Sequence, residues 1–251
     1  TTLGRGTENG GVEATSAMIY NFGTLTVKSG TILENNDNTT TSGAIAMKDE
    51  ETGEYTFPSV TDKVRFGGAV LNGGLMKISG GTIRNNNVGW RGAGIASYGK
   101  IEMTGGTISG NYARNGWGDG GAIYLSGVKN DTGEDYTASD ASYCTISDGN
   151  FTNNKSDGAG GAVCADGYSI LYVKGGAFKN NAAATTGGGI NVYSSCLRMS
   201  GGTISENTAV STNDSTGNGG GLNLTVGSVA DITGGTIENN QSNSGGGIYA
   251  N

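Results

Sequence analysis

Two tryptophans, Trp90 and Trp117, stand five and six residues ahead of Ile95 and Ile123, with Arg91, Arg114 and Asp119 beside them. Tyr98 and Tyr124 follow the same isoleucines by three residues and one. Aromatic rings next to guanidinium, carboxylate and amide groups can stack on a sugar face or anchor a protein partner. Trp90, Arg91, Tyr98, Trp117, Asp119 and Tyr124 are therefore the candidate ligand-binding residues. The plainer alternative is that these rings only cover glycine-rich turns from outside.

Catalytic chemistry has less to draw on. Histidine is absent, which removes the commonest general base and metal ligand. A glycosidase needs only two carboxylates about 5–10 Å apart, and Asp119, Asp157 and Asp166 are the acids placed for it. As turn residues beside glycine they need no catalytic reading, and no catalytic residue is assigned. Acidic runs at Asp49–Glu51 with Glu54, and at Asp131, Glu134, Asp135 and Asp140, could offer oxygen ligands to calcium, but without a recognisable binding loop. No cofactor is expected, with calcium the single alternative. Cys144, Cys164 and Cys196 have no metal-ligand spacing, and an odd count excludes a fully paired disulfide framework. Fifteen Lys and Arg against 22 Asp and Glu leave no basic stripe for nucleic acid.

What positions these residues has to be read from repetition, because composition alone points toward disorder. Glycine supplies 49 of 251 residues and Leu, Ile, Val and Phe together only 44, with a net charge of −7. A Gly-rich signature ending in an aliphatic residue recurs at Ile45, Val70, Ile95, Ile123, Val163, Ile190, Leu222 and Ile248, with Ile19 a degenerate first member. A second signature, an apolar residue followed three positions later by asparagine, alternates with it. Its members are Ile32/Asn35, Ile83/Asn86, Ile108/Asn111, Phe151/Asn154, Phe178/Asn181, Ile204/Asn207 and Ile237/Asn240. One round of both takes about 25 residues, enough for three short strands and too short for helices in so much glycine. The spacing predicts an all-β, right-handed parallel β-helix. Like residues stack on like, so a few aliphatics per coil suffice for the core, and the repeated asparagines form a structural ladder of amides.

The repeat pair resembles that of the polymorphic outer-membrane proteins, Gly-Gly-Ala followed by Ile, Leu or Val, with Phe-x-x-Asn. Here the first motif stands as Gly-Gly-Ala-Val70, Gly-Gly-Ala-Ile123 and Gly-Gly-Ala-Val163, the second as Phe151-Thr-Asn-Asn154 and Phe178-Lys-Asn-Asn181. The resemblance runs from Ser16 onward and implies a β-helical adhesin passenger on a bacterial surface. The fold is also that of pectate lyases and polygalacturonases, although the Gly-His-Gly element of the latter is missing.

The resulting expectation is a single β-helix over 1–251, a segment of a longer extracellular or cell-surface protein, with irregular or inserted stretches at about 46–66, 127–142 and 208–218. No signal peptide or membrane span is evident in this segment. The expected role is binding of a host or environmental glycan or a host protein. A carbohydrate-active enzyme and a structural stalk are the alternatives.

Overall fold

Each Gly-rich signature bends the chain into a short strand whose alternate residues point inward. Ile19, Val70, Ile95, Ile123, Val163, Ile190, Leu222 and Ile248 stand side by side in one eight-stranded parallel sheet, the first sheet. In the computed structural model, described over residues 2–4, 17–39, 47–48, 55–56, 66–116, 118–127, 142–211 and 217–251, no helix occurs among the described residues. From Val70 onward, the glycine three residues before each of these aliphatic residues has a positive φ. At Gly120 φ is 69°, and a Cβ there would sit 2.4 Å from the carbonyl oxygen of Ile123, so this tight turn excludes side chains.

Two further parallel sheets complete the coils, giving a right-handed parallel β-helix. The long sheet contains ten-residue strands such as Leu75–Arg84, Lys100–Ser109, Tyr143–Thr152 and Cys196–Ser205. The short sheet consists of seven two-residue strands, among them Asn87–Val88, Tyr112–Ala113 and Lys155–Ser156. The long strands differ from the expected short pieces. In these strands two segments run on through a bulge, at a Gly-Gly pair in three of them and at Asp148-Gly149 in the fourth; the register shifts between Met103 and Thr107. Gly106 has a φ of 102°, and a Cβ on it would lie 2.9 Å from the Gly80 carbonyl oxygen. The glycines thus bend the strand without breaking the ladder.

The core is a set of stacked columns. Met76, Ile101, Cys144, Leu171 and Leu197 form one, and Ile83, Ile108, Phe151, Phe178 and Ile204 another, all buried. The rings of Phe151 and Phe178 stack with centroids 4.6 Å apart, close to the inter-strand spacing of about 4.8 Å. A thin column of this kind keeps each coil dry with few apolar residues, which reconciles the composition with an ordered chain.

Strand pairing corrects one sequence expectation. Ile19 pairs directly with Val70; Ile45 lies outside the described residues, and between these two strands in the chain Met47–Lys48 pairs antiparallel with Tyr55–Thr56. Leu33, not Ile32, pairs with Ile83, which moves the ladder from Asn35 to Asn36. Asn35 instead has a φ of 60°, like Asn85, Asn153 and Asn180 in later coils, a conformation asparagine tolerates better than most residues.

The ladder itself is fully bonded through its centre. Asn154 Oδ1 accepts from the backbone N–H of Asn111 at 3.2 Å and from Asn111 Nδ2 at 3.0 Å. Asn154 Nδ2 donates to Asn181 Oδ1 at 3.0 Å and to the Ile108 carbonyl at 2.9 Å. Asn86, Asn111, Asn181 and Asn207 repeat this pattern, and Asn240 Nδ2 donates to the Ile204 carbonyl. Buried amides satisfied at both ends hold each corner in register.

Candidate functional site

The turn that enters the first sheet places residues four positions before each strand in one column. Phe66 forms an isolated parallel bridge with Arg91. Gly92 N–H then donates to the Asp119 carbonyl, and Gly120 N–H to that of Ala159. Phe66, Arg91, Asp119 and Ala159 therefore follow one another along consecutive coils. On the outer face of the sheet, Tyr124 is the second residue of the strand Ile123–Ser126 and Asp166 the last of Val163–Asp166. These positions converge on Arg91.

Arg91 lies between two carboxylates. Its Nε is 3.2 Å from Asp119 Oδ2, a charge contact without hydrogen-bond alignment, and its Nη1 is 3.5 Å from Asp166 Oδ2. Nη1 also donates to the Tyr124 hydroxyl at 2.5 Å, which in turn donates to Asp166 Oδ2 at 2.8 Å. Asp119 Oδ1 accepts from the Ala159 N–H at 2.8 Å. The guanidinium carbon is 4.8 Å from the Tyr124 ring centroid and 5.6 Å from that of Trp90, within cation–π range.

Rings enclose this charged group on the side of the earlier coils. Phe66 stacks on Trp90 with centroids 6.0 Å apart and planes 11° from parallel, and meets Tyr98 edge-on at 5.6 Å. Phe66 and Tyr98 also pack over Leu71 and Ala96. The Trp90 indole N–H is buried without a partner.

Burial sets the electrostatics. It opposes the charge on Arg91, but Tyr124, Asp119 and Asp166 more than offset it and hold the guanidinium above its ordinary value. Burial pushes the Asp119 carboxyl up, more than the Ala159 N–H and Arg91 draw it down. The hydroxyls of Tyr98 and Tyr124 are raised, again chiefly by burial. Cys164, the outward residue on the coil after Tyr124, is also raised by burial, so its thiol is held in the neutral form.

Of the six candidate residues, Arg91, Asp119, Tyr98, Tyr124 and Trp90 come together, and Trp117 lies outside the described residues. The ring stacked on Trp90 is Phe66, which the sequence reading left out. Its signal was an offset: Phe66, Arg91 and Asp119 each precede their strand's aliphatic residue by four. Tyr124 is 1% exposed, so it forms the floor of the site and holds Arg91 and Asp166; it presents no open stacking face. Arg114 lies elsewhere, over the Tyr112 ring on the short sheet. Asp157 does not join the Arg91 cluster and takes bonds from the Tyr112 hydroxyl at 2.6 Å and the Asn115 N–H at 3.0 Å. The acidic runs that could offer calcium oxygen ligands fall outside the described residues. Among the described residues, no three acids, cysteines or histidines are placed to hold a metal ion.

Fold and site together define a parallel β-helical repeat protein with one unrepeated polar–aromatic cluster on its first sheet. No family model, curated protein or solved structure matches the chain.

Proposed function

We propose that the chain is an adhesin-like binding segment of a bacterial surface protein, extracellular in location, which takes a glycan or a host surface protein through its first sheet. The observation that supports this reading is the Arg91 cluster. The asparagine corner repeats one residue type from coil to coil, whereas this turn and the strands beside it assemble a guanidinium, two carboxylates and four rings. Such mixed sets of half-buried aromatics and paired charges suit the recognition of sugars and protein hot spots. The likeness of the repeats to those of polymorphic outer-membrane proteins supports the surface location.

A carbohydrate-active enzyme is the second reading, favoured by the placement of Asp119 and Asp166 on either side of one point. That point is occupied by Arg91, which pairs with both acids and fills the space a scissile bond would need. The test is a glycan array and a panel of surface-protein ectodomains probed with the purified chain and with Trp90→Ala. Binding that is lost in the folded variant supports the reading. Release of reducing ends from any bound glycan would replace it with the enzyme, and wild-type binding to nothing on either panel would discard it.

A further inference from the structure

The cluster has a donor and an acceptor left over. Asp166 uses Oδ2 for both Tyr124 and Arg91, and Arg91 uses Nε and Nη1 for the two acids and the tyrosine. Asp166 Oδ1 and Arg91 Nη2 carry no bond among the described residues, and neither is buried. They belong to groups already in contact, and the half-buried ring of Trp90, stacked on Phe66, lies against the guanidinium.

We infer that this site selects a neutral sugar bearing vicinal hydroxyls, one accepting from Arg91 Nη2 and the other donating to Asp166 Oδ1. The inference rests on the binding reading above and narrows its ligand. An anionic sugar would find one guanidinium already paired with two carboxylates, on a chain of net charge −7. A cationic peptide would find the place between the carboxylates taken by Arg91, which also covers the Tyr124 and Trp90 rings. The next outward positions along the sheet, Cys164, Asn191 and Asn223, add no charge. A hydroxyl pair needs one donor and one acceptor side by side, which is what the cluster leaves open.

Calorimetric titration of the chain with neutral tetrasaccharides (gluco-, manno- and galacto-configured), with tetragalacturonate and with tetralysine tests the inference. The neutral series should contain the tightest ligand. Asp166→Asn, which turns the carboxylate into an amide of the same shape, should weaken that ligand by about tenfold, the value of one hydrogen bond to a charged group. Tightest binding by tetragalacturonate or tetralysine would overturn the charge selection and leave a binding module standing. Unchanged affinity in a folded Asp166→Asn protein would overturn the assigned acceptor. Binding by none of the probes would remove the glycan inference, and the ectodomain panel would then decide the broader reading. If Asp166→Asn lowers the melting midpoint, the wild-type panel still decides, since it reads the charge preference without a variant.

Discussion

The asparagine corner and the first-sheet turn belong to the same coils and obey opposite rules. At the corner, Asn86, Asn111, Asn154, Asn181 and Asn207 stack in identical roles, each fully buried and bonded to the coil on either side. At the turn, Phe66, Arg91, Asp119 and Ala159 occupy equivalent places with unlike side chains. Repetition satisfies every donor and leaves nothing over, which stabilises the stack. Variation forces neighbours on successive coils to pair across chemistry, and the pairing leaves unused hydrogen-bonding capacity at Arg91 and Asp166. A solenoid can hold a repeated stabilising corner and an unrepeated cluster on separate faces of the same coils.

The largest expected effect lies in the interior. Phe151→Ala removes one ring of the stacked pair and opens a cavity, and should cost about 3–5 kcal/mol in chemical unfolding. A smaller loss would mean that the column collapses readily around a missing ring. Asn154→Ala comes next at about 1–3 kcal/mol, because both donors of Asn111 lose their acceptor inside a dry corner. Ligand binding should persist in the folded fraction of that variant. An unmoved unfolding midpoint with binding lost would reverse the contrast between the two faces and make the ladder functional.

Tyr124→Phe probes the other face. It deletes the hydroxyl between Arg91 and Asp166 and should cost about 0.5–1.5 kcal/mol, with a change in ligand affinity that Asn154→Ala does not produce. Equal affinity in wild type and variant would reduce Tyr124 to packing alone.

The smallest effect is a pH dependence. Burial raises the Asp119 carboxyl above its ordinary 3.8, so the folded state holds the proton more tightly than the unfolded state. The Asp119 contribution then falls as pH rises from 3.8 through the higher folded value. The melting midpoint of Asp119→Asn should approach that of the wild type near about pH 3 and gain on it toward about pH 7. A wild-type protein that gains on the variant over this range would show that Arg91 outweighs burial, and that Asp119 is a net stabilising ion-pair partner.

Much of this architecture was legible in the residues. The Gly-rich signatures mark the first sheet because only glycine accepts the turn before each strand, and the apolar-x-x-Asn signatures mark the opposite corner. The misplacement also has a physical cause. The run Ile32-Leu33-Glu34-Asn35-Asn36 contains two frames in which an apolar residue precedes asparagine by three, and only pairing of Leu33 with Ile83 chooses between them.

By itself the sequence determined the coil: its length, its inward columns and the places where glycine is obligatory, because these are local and repeat every turn. Alternation also sent Tyr124 to the outer face. Only the tertiary structure decided that this face is covered, with Arg91 from the preceding coil lying over the ring and Asp166 from the following one taking its hydroxyl. Arg91 and Asp166 are 75 residues apart along the chain, and stacking brings them within reach of one hydroxyl. Periodicity records which way a side chain points; what lies over it depends on neighbouring coils whose separation along the chain the insertions reset.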